Sequence, residues 1–471
     1  MRKAKTVCTI GPASSSEEIM KKMVLGGMDV ARLNFSHGTH KSHSRLHAML
    51  RRLSKAAGRP LAILQDVQGP RIRLGKFQTG QVLLHTGGSF ILTTRSIVGD
   101  DFHAAVQYNH FHKDVKKGDR VLIADGTIQL RVTDVEGRDV ITKVVAGGVI
   151  RNHKGVNLPG VNISSASVTE KDKKDIRLGL KLGMDLVAIS FVRKPDDVLQ
   201  VRRMIRKAKG SSRILAKIEH PDAVDNLDDI LDVCDGIMVA RGDLGVELPP
   251  EKVPAIQKTA IARANSRGKL VIVATQMLES MISSPRPTRA EASDVANAVF
   301  DGADALMLSG ETAAGAYPLE ALQMMVRIIG QAEKSAAFQS IPGPHLIKDH
   351  AVFPNAISKA TVVAAEDTGA RLIVAFTESG NTARLISDYR PNARIIAMTP
   401  HLDTYHGLAI YWGVEPVKVP AVRSTDAMLR QANHILTERG FARTGEAVVI
   451  TSGVPIGQPG STNMIKLHRI Q

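Results

Sequence analysis

Cysteine is almost absent: Cys8 and Cys234 are the only two in the chain. Two thiols cannot staple a scaffold, which excludes a disulfide framework and fits a reducing compartment. Aromatic residues make up 4% of the sequence, with one tryptophan and five tyrosines. A groove that stacks nucleic-acid bases needs more of them. No apolar run approaches the roughly 18 residues that span a bilayer. The opening Met1-Arg2-Lys3-Ala4-Lys5 runs straight into Thr6-Val7-Cys8-Thr9-Ile10, without an apolar signal region or an Arg/Ser-rich presequence. The expectation is a cytoplasmic protein with no membrane segment and no nucleic-acid partner. There is also no Gly-x-x-x-x-Gly-Lys-Ser/Thr loop, which excludes a P-loop enzyme.

What is present is apolar mass and positive charge. The 471 residues include 62 basic and 46 acidic side chains, a net charge of +16, and 43% are hydrophobic. At roughly 100–200 residues per domain, the length predicts two to four domains, each with its own core. Evenly spread apolar residues exclude a disordered chain. The charge predicts anionic partners, among them small phosphorylated substrates. The densest basic run, Arg202-Arg203-Met204-Ile205-Arg206-Lys207-Ala208-Lys209, follows Pro195-Asp196-Asp197 and stops at Gly210. Acid at the start and base at the end suit a helix dipole, so the run reads as a solvated helix face.

From Lys173 to Leu308, short apolar runs alternate with helical patterns. The runs cover residues 186–190, 214–218, 236–240, 270–275 and 305–308. Thr169-Glu170-Lys171-Asp172 reads as a capping box, and Pro195, Pro221 and Pro250 stand where first helical turns begin. Such alternation implies parallel strands with right-handed crossovers. Residues 7–10, 30–34 and 62–66 add three strands to these five, the eight of a (β/α)8 TIM barrel. Residues 81–84, 90–93, 120–123, 128–135 and 140–145 are strand-like, with turns such as Glu136-Gly137-Arg138-Asp139. They predict a small β-barrel lid inserted after the third barrel strand. Residues 330–348 read as a linker ending in Ile341-Pro342-Gly343-Pro344. Runs at 371–376, 393–398, 414–419 and 447–451 predict a doubly wound α/β domain. The α/β chain thus divides into barrel 1–70, lid 71–165, barrel 166–345 and C-terminal domain 346–471.

A barrel of this kind carries its chemistry at the C-terminal ends of the strands. Those ends read Arg32-Leu33-Asn34-Phe35-Ser36-His37, Asp66, Lys217-Ile218-Glu219, Ala240-Arg241-Gly242-Asp243, Ala274-Thr275-Gln276 and Ser309-Gly310-Glu311-Thr312. Lys217 and Glu219, two apart on a strand, share a face. Their plain reading is a local ion pair. With Asp243 on the next strand end, two carboxylates can offer oxygens to a hard cation such as Mg²⁺ or Mn²⁺. Lysine and arginine beside such a cation can stabilise a phosphoryl group in transfer.

These residues lie in longer stretches that resemble the pyruvate kinase family from about Lys5 to the end. The stretches are Cys8-Thr9-Ile10-Gly11-Pro12-Ala13-Ser14, Arg32 to Gly38, Ile237 to Glu247, Ala274 to Met281 and Met307 to Thr312. The resemblance implies a barrel, an inserted lid and a C-terminal allosteric domain in a homotetramer. It implies phosphoryl transfer from phosphoenolpyruvate to ADP, giving pyruvate and ATP. Glu219 and Asp243 then match the divalent-metal ligands. Lys217 matches the residue that neutralises the phosphoryl group, and Arg32 and Arg73 match the phosphate-binding arginines. Gly242 and Asp243 line the substrate with Thr275, whose hydroxyl helps to protonate the enolate through ordered water. Asn34, His37, Arg73 and Lys154 match nucleotide contacts. Asn34, Ser36, Asp66 and Val67 match a monovalent-cation pocket. Thr377, Ser379, Gly380, Asn381 and Thr382 match an effector-phosphate loop, completed by residues 451–463.

Two departures from the family pattern bear on function. The third-strand loop reads Asp66-Val67-Gln68-Gly69-Pro70-Arg71, where many relatives read Asp-Thr-Lys-Gly-Pro-Glu. An acid has become Arg71, so a fixed guanidinium is expected to take the place of bound K⁺. Ala314 stands where the family carries a lysine. His37, His40, His43 and His47 recur at helical spacing and read as helix-surface residues, with only His37 functional; Cys234 reads as a buried structural thiol. On residues alone, a metal-dependent barrel lyase or aldolase acting through a pyruvate enolate fits the same carboxylates. A basic RNA-binding protein fits the charge alone.

Overall fold

The computed structural model describes residues 2–124, 126–161, 163–339, 352–457 and 460–471. Eight parallel strands close a barrel: Lys5–Thr9, Val30–Asn34, Ala62–Asp66, Leu186–Ile189, Arg213–Ile218, Gly236–Ala240, Leu270–Ala274 and Ala305–Leu308. Each strand pairs with its neighbours in chain order, and the first closes on the eighth through Lys5↔Ala305. Strand–helix alternation dictates this arrangement, because each helix must bury its apolar stripe on the sheet before the next parallel strand can start. The expected starts hold. Thr169 caps the helix Glu170–Leu182 in a capping box with Asp172, and Pro195 and Pro221 open Pro195–Lys207 and Pro221–Asp225. Pro250 opens a 3-10 turn, Pro250–Lys252. Cys234 is buried as expected.

Three readings need correction. The linker does not begin at 330: the helix Pro318–Lys334 runs through Gly330, and Ala336–Gln339 follows it. Buried Met325, Ile329 and Ala332 hold that last stretch to the barrel, which outweighs the helix cost of one glycine. The Ile341-Pro342-Gly343-Pro344 segment lies outside the described residues. The histidines do not share an exposed face either. His43 and His47 are buried; the His43 ring stacks on Phe35 with centroids 3.9 Å apart. The C-terminal sheet also has a fifth strand, Thr462–Arg469, antiparallel to Ala447–Gly453.

The inserted region pairs as an open seven-stranded sheet plus a ribbon of Gln81–Leu84 with Gly148–Arg151. It has a separate core that includes Phe90, Phe111 and Leu130. In the C-terminal sheet the order is Val414–Lys418, Arg394–Thr399, Leu372–Phe376, Ala447–Gly453, Thr462–Arg469. This domain docks under the barrel, at the N-terminal ends of its strands. Lys5 Nζ donates to Val414 O at 2.7 Å. Arg213 donates to Gly407 O at 3.3 Å and lies over the Tyr411 ring.

Two histidines meet at that junction, His47 from the barrel helix His40–Ala57 and His406 from the helix Leu402–Gly407. Burial, then the neighbouring Arg51, holds each imidazole down to about 4. Their folded values lie below the unfolded 6.5, so the unfolded chain takes up protons first as pH falls. Stability from these groups is complete above pH 6.5 and is lost towards pH 4. Calorimetry should show the melting temperature falling across that window, less steeply in His406→Gln. Identical slopes for the two proteins would dismiss the junction as the cause.

Candidate active site

Strand five sets the centre of the site. Ile214, Ala216 and Ile218 join the core between strands and helices, while Leu215 joins the inner cluster. The two-residue period then turns Lys217 and Glu219 to the inner face, at the C-terminal mouth. Lys217 Nζ lies 2.8 Å from Glu219 Oε1 and 3.4 Å from Asp66 Oδ1, and donates to Ser190 Oγ at 2.9 Å. Burial alone would discharge this lysine. Asp66 and Glu219 outweigh burial and raise its pKa, so the ammonium is retained.

Asp66 is anchored from the other side. Arg32 donates through Nε to Asp66 Oδ2 at 2.7 Å, and its NH1 donates to Thr9 Oγ1 at 2.9 Å. Burial pushes Asp66 upward, but Lys217 and Arg32 prevail and keep its pKa below the ordinary value. Glu219 is fully buried, and its Oε2 accepts the Phe191 N–H at 2.8 Å. Its Oε1, although beside Lys217 Nζ, has no aligned hydrogen bond. Burial raises Glu219 to about 6; Lys217 opposes the rise and Asp243 adds to it. A buried oxygen without a hydrogen bond, next to a second carboxylate, is a donor set suited to a divalent cation.

Asp243 and Gly242 belong to the first turn of the helix Arg241–Glu247, directly after strand six. Gly242 N–H donates to Thr275 Oγ1 at 2.7 Å, joining the ends of strands six and seven. Thr275 and Gln276 hold φ of +72° and +54°. Left-handed backbone at a β-branched residue costs roughly 1–3 kcal/mol and persists only where the surroundings impose it. Arg241 does so here. It donates to Thr275 O at 2.8 Å while its other arm meets Asp294 at 2.7 Å.

The lid enters the mouth through Gly69, whose φ is +69° and where an added Cβ would meet Ser190 Cβ and Phe191 at 3.0 Å. Only glycine fits this turn. Arg71 follows and meets Asp243 Oδ1 at 3.2 Å. Arg73 lies on the short strand Ile72–Arg73 and donates to His153 O at 3.1 Å, beside the exposed Lys154. His37 is held below its ordinary pKa by burial and by Arg73, Arg71 and Arg32, so these cations converge on it. Asn34 Oδ1 accepts the Ser36 N–H at 3.1 Å, and Val67 O accepts from Ser190 Oγ at 2.7 Å. Arg71 was expected in the pocket of Asn34, Ser36, Asp66 and Val67; its described ion pair is with Asp243. Ala314 is exposed on its loop.

Two positioning residues had no role in the sequence reading. Ser190 bridges Lys217, Val67 and Asp66; it directly follows strand four, and the strand-end rule extended to that strand identifies it. Arg241 stands inside a recognised motif, but its grip on Thr275 needs the fold.

The 377–382 loop lies apart, in the C-terminal domain. Gly380, with φ +86°, is the N-cap of the helix Asn381–Asp388, and no side chain caps that first turn. Thr377, Ser379, Asn381 and Thr382 line an open pocket with Ser452 and Thr462. Leu372–Phe376 lies between Arg394–Thr399 and Ala447–Gly453, so chain order reverses here. Ligands of open α/β sheets bind at such a switch point.

Residues 1–322 match the model for the pyruvate kinase barrel domain, and residues 355–468 match that for the pyruvate kinase alpha/beta domain. The chain is 46% identical over 472 aligned residues to the pyruvate kinase of Staphylococcus aureus strain MRSA252, covering 100% of this chain and 81% of that one. The protein of strain USA300 gives the same values. A crystal structure of a pyruvate kinase from Cryptosporidium parvum superposes with a TM-score of 0.91 at 38% identity, covering 100% of this chain and 96% of that one. The chain therefore belongs to the pyruvate kinase family, metal-dependent enzymes of glycolysis that transfer a phosphoryl group from phosphoenolpyruvate to ADP.

Proposed function

We propose that the cluster at the barrel mouth performs this transfer with Mg²⁺ or Mn²⁺ and without K⁺. The observation that carries the reading is Lys217, charged and buried between Asp66 and Glu219, with Asp243 close enough to act on Glu219. Glu219 and Asp243 would hold the divalent cation, which supplies positive charge to the phosphoryl and enol oxygens. Departure of the phosphoryl group leaves negative charge on the enol oxygen. Lys217 is fixed in place before the reaction, so it meets that charge without reorganising. Arg32 and Arg73 bind phosphate oxygens, and Asn34, His37 and Lys154 approach the nucleotide. Gly242 orients Thr275 through a 2.7 Å hydrogen bond, and the Thr275 hydroxyl relays a proton to the enolate carbon through water, being too weak an acid to act alone.

The fixed charge of Arg71 supports independence from K⁺. Its influence reaches His37 and Arg73 as well as Asp243. A guanidinium that came within ~4 Å of a monovalent cation in the monovalent-cation pocket would oppose it by ~4 kcal/mol at an effective dielectric near 20. The test is ATP formation in buffer free of K⁺ and Na⁺, with a bulky organic counter-ion at constant ionic strength. Full activity there, with K⁺ dependence created by Arg71→Glu, is the expected result. A wild-type enzyme inactive until K⁺ is added refutes it. The same reading takes the protein as a cytoplasmic homotetramer, divided at 70, 165 and 345. Its C-terminal pocket binds a phosphorylated effector through Thr377, Ser379, Gly380, Asn381 and Thr382.

A further inference from the structure

The four residues that follow strand four, Ser190 to Arg193, meet both the site and the lid. Ser190 Oγ accepts from Lys217 Nζ at 2.9 Å and donates to Val67 O at 2.7 Å, on the chain that leaves for the lid. Phe191 N–H donates to Glu219 Oε2 at 2.8 Å. Phe191 holds φ of +53°, left-handed backbone that a bulky side chain adopts only where its surroundings impose it. A Cβ on Gly69 would stand 3.0 Å from the Phe191 ring and from Ser190 Cβ, so the outgoing chain packs directly on this turn.

Arg193 meets the chain that returns from the lid. Its NH1 donates to Ile163 O at 2.5 Å and its NH2 to Ser165 O at 2.7 Å, so one planar guanidinium grips two carbonyls. The backbone of Arg193 is itself fixed to the barrel. Its N–H donates to Asp197 Oδ2 at 2.9 Å, and its carbonyl accepts from Asn226 Nδ2 at 2.9 Å. Asp172, fully buried, ties the two crossings together: Oδ1 accepts the Gly69 N–H at 3.2 Å, and Oδ2 accepts the Thr169 N–H at 2.9 Å.

We infer that Arg193 is a positioning residue for phosphoryl transfer: it holds the returning chain of the lid against the turn that carries Ser190 and Phe191. The inference rests on the reading above, in which Lys217 and Glu219 act on the barrel side and Arg73 and Lys154 on the lid side. Arg193 acts through other residues. Its fork fixes direction as well as distance, because two N–H groups meet two carbonyls at once. When the returning chain slips, Arg73 and Lys154 move with the lid. The turn loses its outer anchor two residues from Phe191, and the contacts of Phe191 with Glu219 and of Ser190 with Lys217 shift with it.

Steady-state kinetics and hydrogen–deuterium exchange of the full chain test this. Arg193→Gln should lower kcat/KM for ADP by roughly tenfold to 10²-fold, the range for a site misplaced from outside it, with KM for ADP raised as well as kcat lowered. Arg193→Lys, which keeps the charge and loses the fork, should fall between Arg193→Gln and the wild type. It carries the same test should Arg193→Gln not fold. Amide exchange should quicken over residues 186–194 as well as over 163–168. The loss in Arg193→Gln combined with Ser190→Ala should be smaller than the product of the two single losses, because both act through one turn. A folded variant with unchanged KM for ADP, or with quickened exchange confined to 163–168, makes Arg193 a structural clasp and overturns the inference while the catalytic reading stands. Single losses that simply multiply overturn it too. Near-normal turnover in Lys217→Met removes the catalytic reading and the inference with it.

Discussion

Lys217→Met is expected to lower kcat by ~10²–10³-fold or more, the range for deleting one preorganised electrostatic group. Methionine keeps the length of the stem and removes the charge. The ammonium now stands among Asp66, Glu219 and Ser190. Without it, charge developing on the enol oxygen loses its fixed counter-charge. The same substitution leaves two buried carboxylates short of a partner, typically a cost of ~3–5 kcal/mol. Glu219, already raised to about 6, can relieve part of that by taking a proton. A thermal melt beside the kinetics separates the two effects: the melting temperature should fall, and kcat should stay depressed at temperatures where the variant is folded. Raising Mg²⁺ should not restore the rate, because the missing charge is on the protein. Near-normal turnover in a folded Lys217→Met protein would remove Lys217 from the chemistry.

Glu219→Gln is expected to cost ~10²-fold or more in kcat by the same reasoning, with a different signature. The amide oxygen can still accept the Phe191 N–H that Oε2 accepts now, at 2.8 Å. What disappears is a negative ligand. The Mg²⁺ concentration for half-maximal rate should therefore rise, by at least the ~10-fold typical of a disturbed metal site. Mn²⁺ binding followed by electron paramagnetic resonance gives a readout independent of turnover and should weaken in parallel. Loss of rate with unchanged Mn²⁺ affinity would make Glu219 a partner of Lys217 alone.

The eight barrel strands were legible because each is a short apolar run between helix start signals. The charged rim followed from the rule that places chemistry at strand ends. Lys217 and Glu219 could be put on one face from their spacing alone. Other features depend on contacts between distant elements. The left-handed backbone of Thr275 is imposed by Arg241, from another strand end. Arg71 meets Asp243 across 172 positions of sequence. The strand Thr462–Arg469 mixes exposed and half-buried positions, so it lacks the alternation that marks a strand. Gly330 reads as a breaker until the buried residues on either side of it in the helix are seen. His43 and His47 look like surface residues because nothing local reveals the elements that cover them.

The most direct test of the central claim is phosphorus NMR of the purified protein with phosphoenolpyruvate, ADP and Mg²⁺. The predicted result is loss of phosphoenolpyruvate matched one for one by the γ-phosphate of ATP, with no turnover when ADP is omitted. Phosphoenolpyruvate that persists, or that is lost to inorganic phosphate without ATP, would contradict the account.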